Sequence, residues 1–349
     1  MSNGAEIVPV FTTQSGSPAY VFSCESEPES CVQMILVAGA AGFVGSHLCD
    51  FLLDRGYKVL GIDSLLTGSE KNLSDAIQSE AFQFRQIDVT DESAIESLSG
   101  LTISHVLNLA SPASPDDFSR IPERILQVGS TGTLNLLNLA VKVGARYVFA
   151  SSSEVYGEPD VHPQPESYRG SVDTMGPRSC YDESKRFGEA AVTSYGRHFG
   201  MSFGVVRIFN TYGPRMQAGD GRVISNFLHA ALSSEPLVIY GTGSQTRSFC
   251  YVSDLVRGLV SVMEHHSDVV VNLGNPEEVS ILQLANSVIR ATNSQSPIVV
   301  NPMPVGRIGD PSRRKPDISK ATSLLGWKPE IALDQGLQRY LKALIAEQK

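Results

Sequence analysis

Short, continuous runs of apolar residues alternate along the chain with longer amphipathic segments. The first run, Met34–Ala38, reads MILVA, and the segment at 46–54 that follows it carries Leu48, Phe51 and Leu52 on one helical face. Further short apolar runs predict strands at 58–62, 82–87, 106–110, 147–151 and 203–207. Apolar strands that alternate with helices indicate a parallel sheet covered by helices on both faces.

The longer amphipathic segments predict helices at 123–143, 183–198, 253–265, 281–291 and 333–346. We therefore predict an α/β fold, a Rossmann-type doubly wound parallel sheet with a smaller C-terminal α/β cap. The sheet domain spans 33–207 and also receives 250–275, whereas the cap is built from 208–249 and 276–349. Residues 1–32 form a separate N-terminal arm to which we assign no role.

The composition narrows the class of protein. The 349 residues include 28 Lys and Arg and 37 Asp and Glu, which gives a net charge of −9. This negative charge argues against nucleic acid or an anionic membrane as a partner. No apolar run reaches the roughly 18 residues of a membrane span, and the first thirty residues lack a signal-peptide pattern. Five widely spaced cysteines without metal-ligand spacing predict reduced thiols, no metal site and a cytoplasmic protein.

A glycine-rich turn joins the first predicted strand to the first predicted helix. Gly39, Gly42 and Gly45 are spaced so that the backbone can approach a pyrophosphate, which the helix N-terminus then binds. Asp63 ends the second strand 18 residues beyond Gly45, where a carboxylate accepts from ribose hydroxyls and repels a 2′-phosphate. This pattern predicts NAD rather than NADP. Asp88, after the third strand, is suited to the adenine amino group or to capping a helix at 90–97, and both roles can hold together.

A second motif, Tyr181-Asp-Glu-Ser-Lys185, places a phenol and an ammonium four residues apart on one helix face. A nearby ammonium lowers the pKa of a phenol because it stabilises the phenolate. Such a phenol can take a proton from a substrate alcohol while hydride leaves its carbon. Ser152, at the end of a predicted strand, can complete the set by hydrogen-bonding the reacting oxygen.

Longer segments carry a resemblance to a known family. They are LASPASP (109–115), SSSEVYG (151–157), GPRSCYDESKR (176–186), RIFNTYGPRM (207–216), DGRVISNF (220–227), YGTGSQTRSFCYVSDLV (240–256), NLGNPEE (272–278) and RKPDISKA (314–321). Over 33–345 the chain resembles the extended short-chain dehydrogenase/reductases, in their nucleotide-sugar-modifying branch. Within that branch it is most similar to members that decarboxylate UDP-glucuronate.

The resemblance implies UDP-glucuronate as substrate and a tightly bound, recycled NAD. Oxidation at C4 of the sugar makes a ketone β to the C5 carboxylate, carbon dioxide leaves, and reduction gives UDP-xylose. The implied catalytic residues are Ser152, Glu154, Tyr181, Lys185 and Arg314. At the position of Glu154, similar decarboxylases carry glutamate, whereas 4-epimerases usually carry a small hydroxyl residue. Arg314, beside Arg313, matches an arginine that these decarboxylases have near the substrate carboxylate.

The resemblance also implies which residues bind the cofactor and which bind the substrate. The cofactor set is Gly39, Gly42, Phe43, Val44, Gly45, Asp63, Thr67, Gly68, Asp88, Val89, Leu109, Ser111, Ala150, Tyr181 and Lys185. The substrate set in the cap and at the strand ends is Asn135, Ser153, Asn210, Thr211, Arg222, Tyr240, Gln245 and Arg247. Arg222 and Arg247 resemble the positions that hold the pyrophosphate and the uridine ribose. Ser153 also distinguishes the chain from ring-contracting synthases, which have cysteine there.

Three stretches depart from the family's pattern. Where the family usually has Asn-Phe-Phe, this chain has Ser64-Leu65-Leu66. It has Gln127-Val128-Gly129 in place of the family's Lys-Thr-Asn, and Gln217 in place of a histidine. These departures leave the exact UDP-sugar substrate open. The alternative reactions are decarboxylation of a related nucleotide sugar, 4-epimerisation of a UDP-uronate, and release of a UDP-4-keto-pentose together with NADH. A non-catalytic NAD-binding scaffold is an alternative of another class.

The resemblance implies one further partner, a second copy of the chain. Related enzymes pair the helices that correspond to 123–143 and 183–198 into a four-helix interface. The apolar residues on those two segments are compatible with such a homodimer.

Overall fold

A seven-stranded parallel sheet forms the centre of the structure, a computed structural model that describes residues 34–217, 219, 221–302 and 312–347. Its strands are β1 (Met34–Ala38), β2 (Lys58–Asp63), β3 (Phe82–Gln86), β4 (Ile103–Asn108), β5 (Arg146–Ser152), β6 (Phe203–Ile208) and β11 (Val269–Leu273). The order β11-β6-β5-β4-β1-β2-β3 reverses between β1 and β4, as in doubly wound dinucleotide-binding sheets. The predicted fold class is confirmed.

Helices cover both faces of this sheet because successive strand residues point to opposite sides. The helices are α1 (Phe43–Asp54), α2 (Glu92–Glu96), α3 (Asp117–Arg120), α4 (Pro122–Gln127), α5 (Thr133–Val143), α6 (Ser179–Phe199), α7 (Val223–Leu232), α8 (Val252–Glu264), α9 (Ile281–Thr292), α10 (Ser319–Leu325) and α11 (Leu333–Glu347). In β1, Ile35 shares a core with Leu48 of α1, whereas the next residue, Leu36, packs in a second core with Leu136 of α5 and Val192 of α6.

Three small sheets accompany the main one. They are β7 (Thr211–Tyr212) with β10 (Cys250–Tyr251), β8 (Leu237–Tyr240) with β13 (Ile298–Asn301), and β9 (Thr246–Ser248) between β12 (Glu278–Ser280) and β14 (Arg313–Arg314). Helices α7 and α9 pack together beside β8. Their apolar residues, among them Leu228 and Leu284, belong to the same core as β1 and α1.

Strand β1 has the predicted bounds, and the other predicted elements occur with shifted ends. Helix α1 begins at Phe43 rather than at residue 46, and α6 begins at Ser179 rather than at 183. The alternative capping role of Asp88 is wrong, because Asp91 accepts from the Ala94 amide at 3.0 Å and caps α2. The hydrophobic pattern did not predict α7 or α10. The predicted N-terminal arm lies outside the described residues, and the division into sheet domain and cap stays a prediction.

The single helix predicted at 123–143 is interrupted. A wide π-type turn, Val128–Gly132, separates α4 from α5 where they cross α6. Gly129 lies against α6 so closely that a Cβ there would be 2.4 Å from the Ser184 Cβ. The substitution of Gly129 for the family's asparagine therefore has a steric consequence: Ser184 occupies the space that a side chain at 129 would need.

Within the described part of the chain, no helix combines the length and the apolar character that crossing a membrane requires.

We predict that Gly129→Ala destabilises the protein by about 1–3 kcal/mol, because the added methyl group overpacks the contact with Ser184. Adding Ser184→Gly removes the clash, so the double variant loses less than the sum of the two single changes. Urea unfolding measures both free energies. Gly100→Ala is the matched control, since a Cβ there meets nothing within 4 Å. Equal stability of the Gly129 and Gly100 variants contradicts the prediction.

Candidate active site

A cavity of about 620 Å³ opens at the carboxyl ends of β1, β4, β5 and β6. It brings together predicted residues from all three sets: Gly39, Gly42, Phe43, Val44, Gly45, Leu109, Ser111, Ala150, Ser152, Ser153, Glu154, Tyr181, Lys185, Asn210, Thr211, Arg222, Tyr240, Gln245, Arg247 and Arg314. Ligands of open parallel sheets bind in this crevice, at the point where the strand order reverses. Of the predicted residues, Asp63, Thr67, Gly68, Asp88, Val89 and Asn135 lie outside this lining.

The glycine turn forms a cradle that larger residues cannot make. Gly39 has φ of +83°, and a Cβ on Gly45 would be 2.0 Å from the Gly39 carbonyl oxygen. Gly42 precedes α1, and among the described residues no side chain caps this helix and no acid lies in its first turn. The N–H groups and the positive dipole end of α1 therefore face the cavity without a competing carboxylate, an arrangement that fits a pyrophosphate.

Asp63 is positioned by the same turn. Its carboxylate accepts from the backbone amides of Ala41 at 3.0 Å and Leu65 at 2.8 Å. Burial raises the pKa of Asp63, and these amide hydrogen bonds oppose the rise. A Cβ on Gly68 would be 2.9 Å from the Asp63 carboxylate, so the backbone at Gly68 lies against this acid. Gln217 donates to the Thr67 carbonyl at 2.7 Å, which ties this edge of the site to the segment after β7.

Asp88 and Asn135 are engaged with neighbouring protein groups. Asp88 accepts from the Thr90 amide at 2.9 Å and pairs with Arg124 of α4. Although burial opposes ionisation, the bonds from Thr90 and the charge of Arg124 lower the pKa of Asp88. Asn135, on α5, donates to the Val89 carbonyl at 3.0 Å.

The Tyr181–Lys185 motif lies in the first two turns of α6, and both side chains are buried. Lys185 donates to the Ala150 carbonyl at 3.0 Å, and its Nζ lies 5.6 Å from the Tyr181 ring centroid. The expected lowering of the phenol pKa is wrong for this structure: burial raises the pKa of Tyr181 to about 12, and a hydrogen bond with Ser152 opposes it only in part. Burial likewise lowers the pKa of Lys185 to about 8.

Glu154 is held by two arginines at the wall of the cavity. Its Oε2 accepts from Arg178 Nη2 at 2.9 Å and from Arg314 Nη2 at 3.2 Å. Burial favours the neutral acid, yet the charges of Arg314 and Arg178 outweigh it and hold the pKa of Glu154 at about 2. Arg314 is 1% exposed and also donates to the Gly157 carbonyl at 2.9 Å, whereas Arg313 is exposed.

A second carboxyl group lies beside this cluster. Asp182 follows Tyr181 on α6 and is buried, and within the described residues its Oδ1 has no hydrogen-bond partner. Burial and the negative charge of Glu154 raise the pKa of Asp182 to about 7. The two arginines therefore keep Glu154 ionised, and the charge of Glu154 in turn favours the neutral form of Asp182.

Four members of the predicted substrate set, Arg222, Tyr240, Gln245 and Arg247, line the cavity in segments around α7, β8 and β9. Arg247 of β9 is the register partner of Arg314 in β14 and therefore lies beside the Glu154 cluster. Arg222 donates to the Ala113 carbonyl at 3.3 Å, and Arg247 donates to the Ser312 carbonyl at 3.4 Å. Gln245 donates to the Tyr240 carbonyl at 2.7 Å. Arginines in this position suit a diphosphate because the guanidinium donates in pairs.

A buried polar network supports the loops that carry Glu154 and Arg314. Arg207 of β6 forms an ion pair with Glu189 of α6 at 2.7 Å and donates to the Tyr156 hydroxyl at 3.0 Å. Tyr156 donates to Asn272 of β11 at 2.7 Å, and Asn272 donates to the Asp317 carbonyl at 3.0 Å. Glu154, Arg178 and Arg314 form an ion cluster. Residue 156 lies two positions from Glu154 and residue 317 lies three positions from Arg314, so this network connects both loops to the main sheet.

Arg178 and Phe118 are among the cavity residues that the sequence reasoning missed. Arg178 lies three residues before Tyr181, so the spacing within GPRSCYDESKR was a usable signal that both face one side of α6. Phe118, on α3, comes from a loop without a motif. The described residues contain no group of three or more His, Cys, Asp or Glu placed to hold a metal ion.

Comparisons with known proteins agree with this geometry. The NAD dependent epimerase/dehydratase family model matches residues 35–274. UDP-glucuronic acid decarboxylase 1 of Danio rerio is 47% identical over 308 residues, 88% of this chain and 72% of that protein. UDP-glucuronic acid decarboxylase 3 of Arabidopsis thaliana is 45% identical over 304 residues, 87% of this chain and 86% of that protein.

Solved structures share the fold. UDP-glucose 4-epimerase of Thermotoga maritima with UDP-glucose superposes with a TM-score of 0.84 at 30% identity, over 91% of this chain and 100% of that one. UDP-glucuronic acid 4-epimerase of Bacillus cereus with UDP-glucuronic acid and NAD gives 0.81 at 28% identity, over 90% of this chain and 100% of that one.

We predict that Arg314→Gln destabilises the protein at pH 7 by about 3–5 kcal/mol, because Glu154, whose side chain is only 14% exposed, is left with one arginine fewer. The pKa of Glu154 is lowered from 4.5 to about 2, so the stability that the pair contributes is complete above pH 4.5. It is lost as the pH falls toward 2, and the gap between variant and wild type narrows there.

Urea unfolding at pH 7, 4 and 3 measures this gap. Arg55→Gln is the control, because the Arg55–Glu264 pair is exposed and such pairs contribute under about 1 kcal/mol. A gap for Arg314→Gln as small as that of the control, or one that does not change with pH, contradicts the prediction.

Proposed function

The chain belongs to the NAD dependent epimerase/dehydratase family, and we propose that this protein converts UDP-glucuronate to UDP-xylose and carbon dioxide. The observation that carries the proposal is the ionised Glu154 between Arg178 and Arg314, in the same cavity as Ser152 and Tyr181. The relatives named UDP-glucuronic acid decarboxylases support it, with 45–47% identity over most of the chain.

NAD is the cofactor, and the residues fit it. The Gly39–Gly45 turn and the α1 N-terminus suit its pyrophosphate, and Asp63 suits a ribose diol. When bound, NAD would supply the hydride acceptor for the oxidation at C4 of the sugar and the hydride donor for the later reduction. We propose that Lys185, which is buried and lines the same cavity, would hold the second ribose.

Tyr181 moves the proton of the C4 hydroxyl, with Ser152 as its hydrogen-bond partner. Its high pKa keeps the phenol protonated at neutral pH, which is the form that returns a proton to the 4-ketone in the final reduction. The first step needs the phenolate, and burial opposes its formation in this structure. The Lys185 ammonium, whose Nζ lies 5.6 Å from the Tyr181 ring centroid, offsets part of this cost. Tyr181 and Lys185 therefore act as one proton-transfer unit.

Glu154, Arg178 and Arg314 act on the carboxylate. Two guanidinium groups against one carboxylate leave a net positive charge, which attracts the uronate carboxylate to this wall. Once C4 is a ketone, the bond from C5 to the carboxyl carbon breaks and its electron pair moves into the ketone as an enolate. The fixed negative charge of Glu154 disfavours a neighbouring carboxylate and favours the departure of neutral carbon dioxide. C5 is then protonated by an acid or water that Glu154 positions.

We predict that the protein with UDP-glucuronate and catalytic NAD+ gives the anomeric proton signal of UDP-xylose and releases one carbon dioxide per sugar. Tyr181→Phe lowers kcat by about 10²–10⁴-fold, because it removes the proton-transfer group and leaves the cavity shape. Proton NMR with trapped labelled carbon dioxide makes both measurements.

Other outcomes assign other functions. UDP-galacturonate without gas release would make the protein a UDP-uronate 4-epimerase, as in the structural relative from Bacillus cereus. A UDP-4-keto-pentose released together with NADH would indicate that the cycle stops before reduction. Equal, zero turnover by wild type and Tyr181→Phe, with NAD bound, would favour a non-catalytic scaffold.

We infer that the protein is a homodimer through α4–α5 and α6. These helices pack against each other, and their outer surface exposes Leu126 and Phe187, at 46% and 41%. Paired with a second copy, the same surfaces would form four antiparallel or parallel helices with the apolar side chains between them. The cytoplasmic location also stays a prediction, supported by buried free thiols at Cys49, Cys180 and Cys250.

We predict that Leu126→Glu combined with Phe187→Glu converts the dimer to a monomer of 37.6 kDa, because four carboxylates would meet in an apolar interface. Sedimentation velocity at micromolar concentration measures the mass. Ile77→Glu is the control, an equally apolar residue, 52% exposed, away from these helices. A wild-type monomer, or a dimer that survives the double change, contradicts the inference.

A further inference from the structure

Phe118 contacts both chemical groups of the cavity, although it is neither titratable nor part of a motif. It lies on α3, lines the cavity and is 7% exposed. Its ring stacks on the Tyr181 ring, with centroids 5.0 Å apart and planes 19° from parallel. A phenol ring stacked in this way has little freedom to turn about its side-chain bonds.

The same ring also contacts the ion cluster. The guanidinium carbon of Arg178 lies 5.1 Å from the Phe118 ring centroid, within the range of a cation–π interaction. Arg178 in turn donates to Glu154 at 2.9 Å. A continuous series of contacts therefore runs from the Tyr181 phenol through Phe118 and Arg178 to the Glu154 carboxylate.

The backbone that carries Phe118 is itself fixed. Cys180, next to Tyr181 in α6, donates its thiol to the Phe118 carbonyl at 3.7 Å. The preceding residue, Asp117, is buried and pairs with Arg120 across the single turn of α3. Phe118 is thus attached to α6 by its backbone as well as by its ring.

We propose that Phe118 is a positioning residue that holds Tyr181 and the Arg178–Glu154 pair at a fixed separation, so that both act on the same bound sugar. This inference rests on the proposed decarboxylation. Oxidation at C4 and bond breaking at C5 occur on adjacent carbons, so the phenol and the carboxylate must be placed relative to each other. A misplacement of about 1 Å can cost about 100-fold in rate.

Phe118→Leu tests the proposal, because it keeps an apolar side chain and removes the ring. We expect kcat for UDP-xylose formation to fall about 10–100-fold while KM for UDP-glucuronate stays within about twofold. We also expect a larger share of turnovers to end as released UDP-4-keto-pentose with NADH, since the final proton transfer depends most on the phenol. Phe118→Tyr keeps the ring and restores kcat to within about threefold of wild type.

Phe82→Leu is the matched control, the same substitution at a residue 8% exposed that lies outside the cavity. It should lower stability while kcat and the product ratio stay as in wild type. If Phe118→Leu does not fold, Phe118→Met takes its place with the same expectation. Wild-type kcat and product ratio in the Phe118 variant, or identical losses at Phe118 and Phe82, would overturn the proposal. A wild type that releases no carbon dioxide would instead overturn the proposed function.

Discussion

All seven strands of the main sheet run in one direction, and this constraint decides where the chemistry of the chain can be. Segments that follow β1, β4, β5 and β6 all leave the sheet at the same edge. They carry the glycine turn, the loop of Phe118, Glu154 and Asn210. Antiparallel pairing of any one strand would send its following segment to the opposite edge, so the cavity depends on the right-handed crossovers that α1, α5 and α6 make.

Within the cavity, electrostatics is set locally and against the overall charge of the chain. The protein carries −9 in total, yet the wall around Glu154 has two guanidinium groups and one carboxylate. Burial would neutralise a lone Glu154, and the arginines prevent this. Asp182 is affected in turn, because its own burial and the negative charge of Glu154 raise its pKa to about 7. One ionised carboxylate in this pocket therefore disfavours the ionisation of a second one.

The sequence was sufficient wherever the signal is local. Strand β1 has the predicted bounds, because its five consecutive apolar residues lie between the polar Gln33 and the glycine turn that begins at Gly39. The Gly39–Gly45 turn was predictable because its steric reason lies in its own backbone. The turn at Val128–Gly132 was not, since it packs against α6, where the nearest side chain to Gly129 is that of Ser184, more than fifty residues away. Likewise, the spacing of Tyr181 and Lys185 indicates a shared helix face but not how deeply that face is buried, and burial decides both pKa values.

The departures from the family's pattern also become interpretable as packing. Gly129 makes room for Ser184, Gln217 donates to the Thr67 carbonyl, and the Ser64 carbonyl accepts from Gln86 at 3.4 Å. Each of these residues contacts protein groups at the rim or behind the cofactor segment. By contrast, Ser152, Glu154, Tyr181, Lys185 and Arg314 all line the cavity. The three departures therefore concern contacts outside the cavity lining, whereas the five residues for which we propose catalytic roles all lie in it.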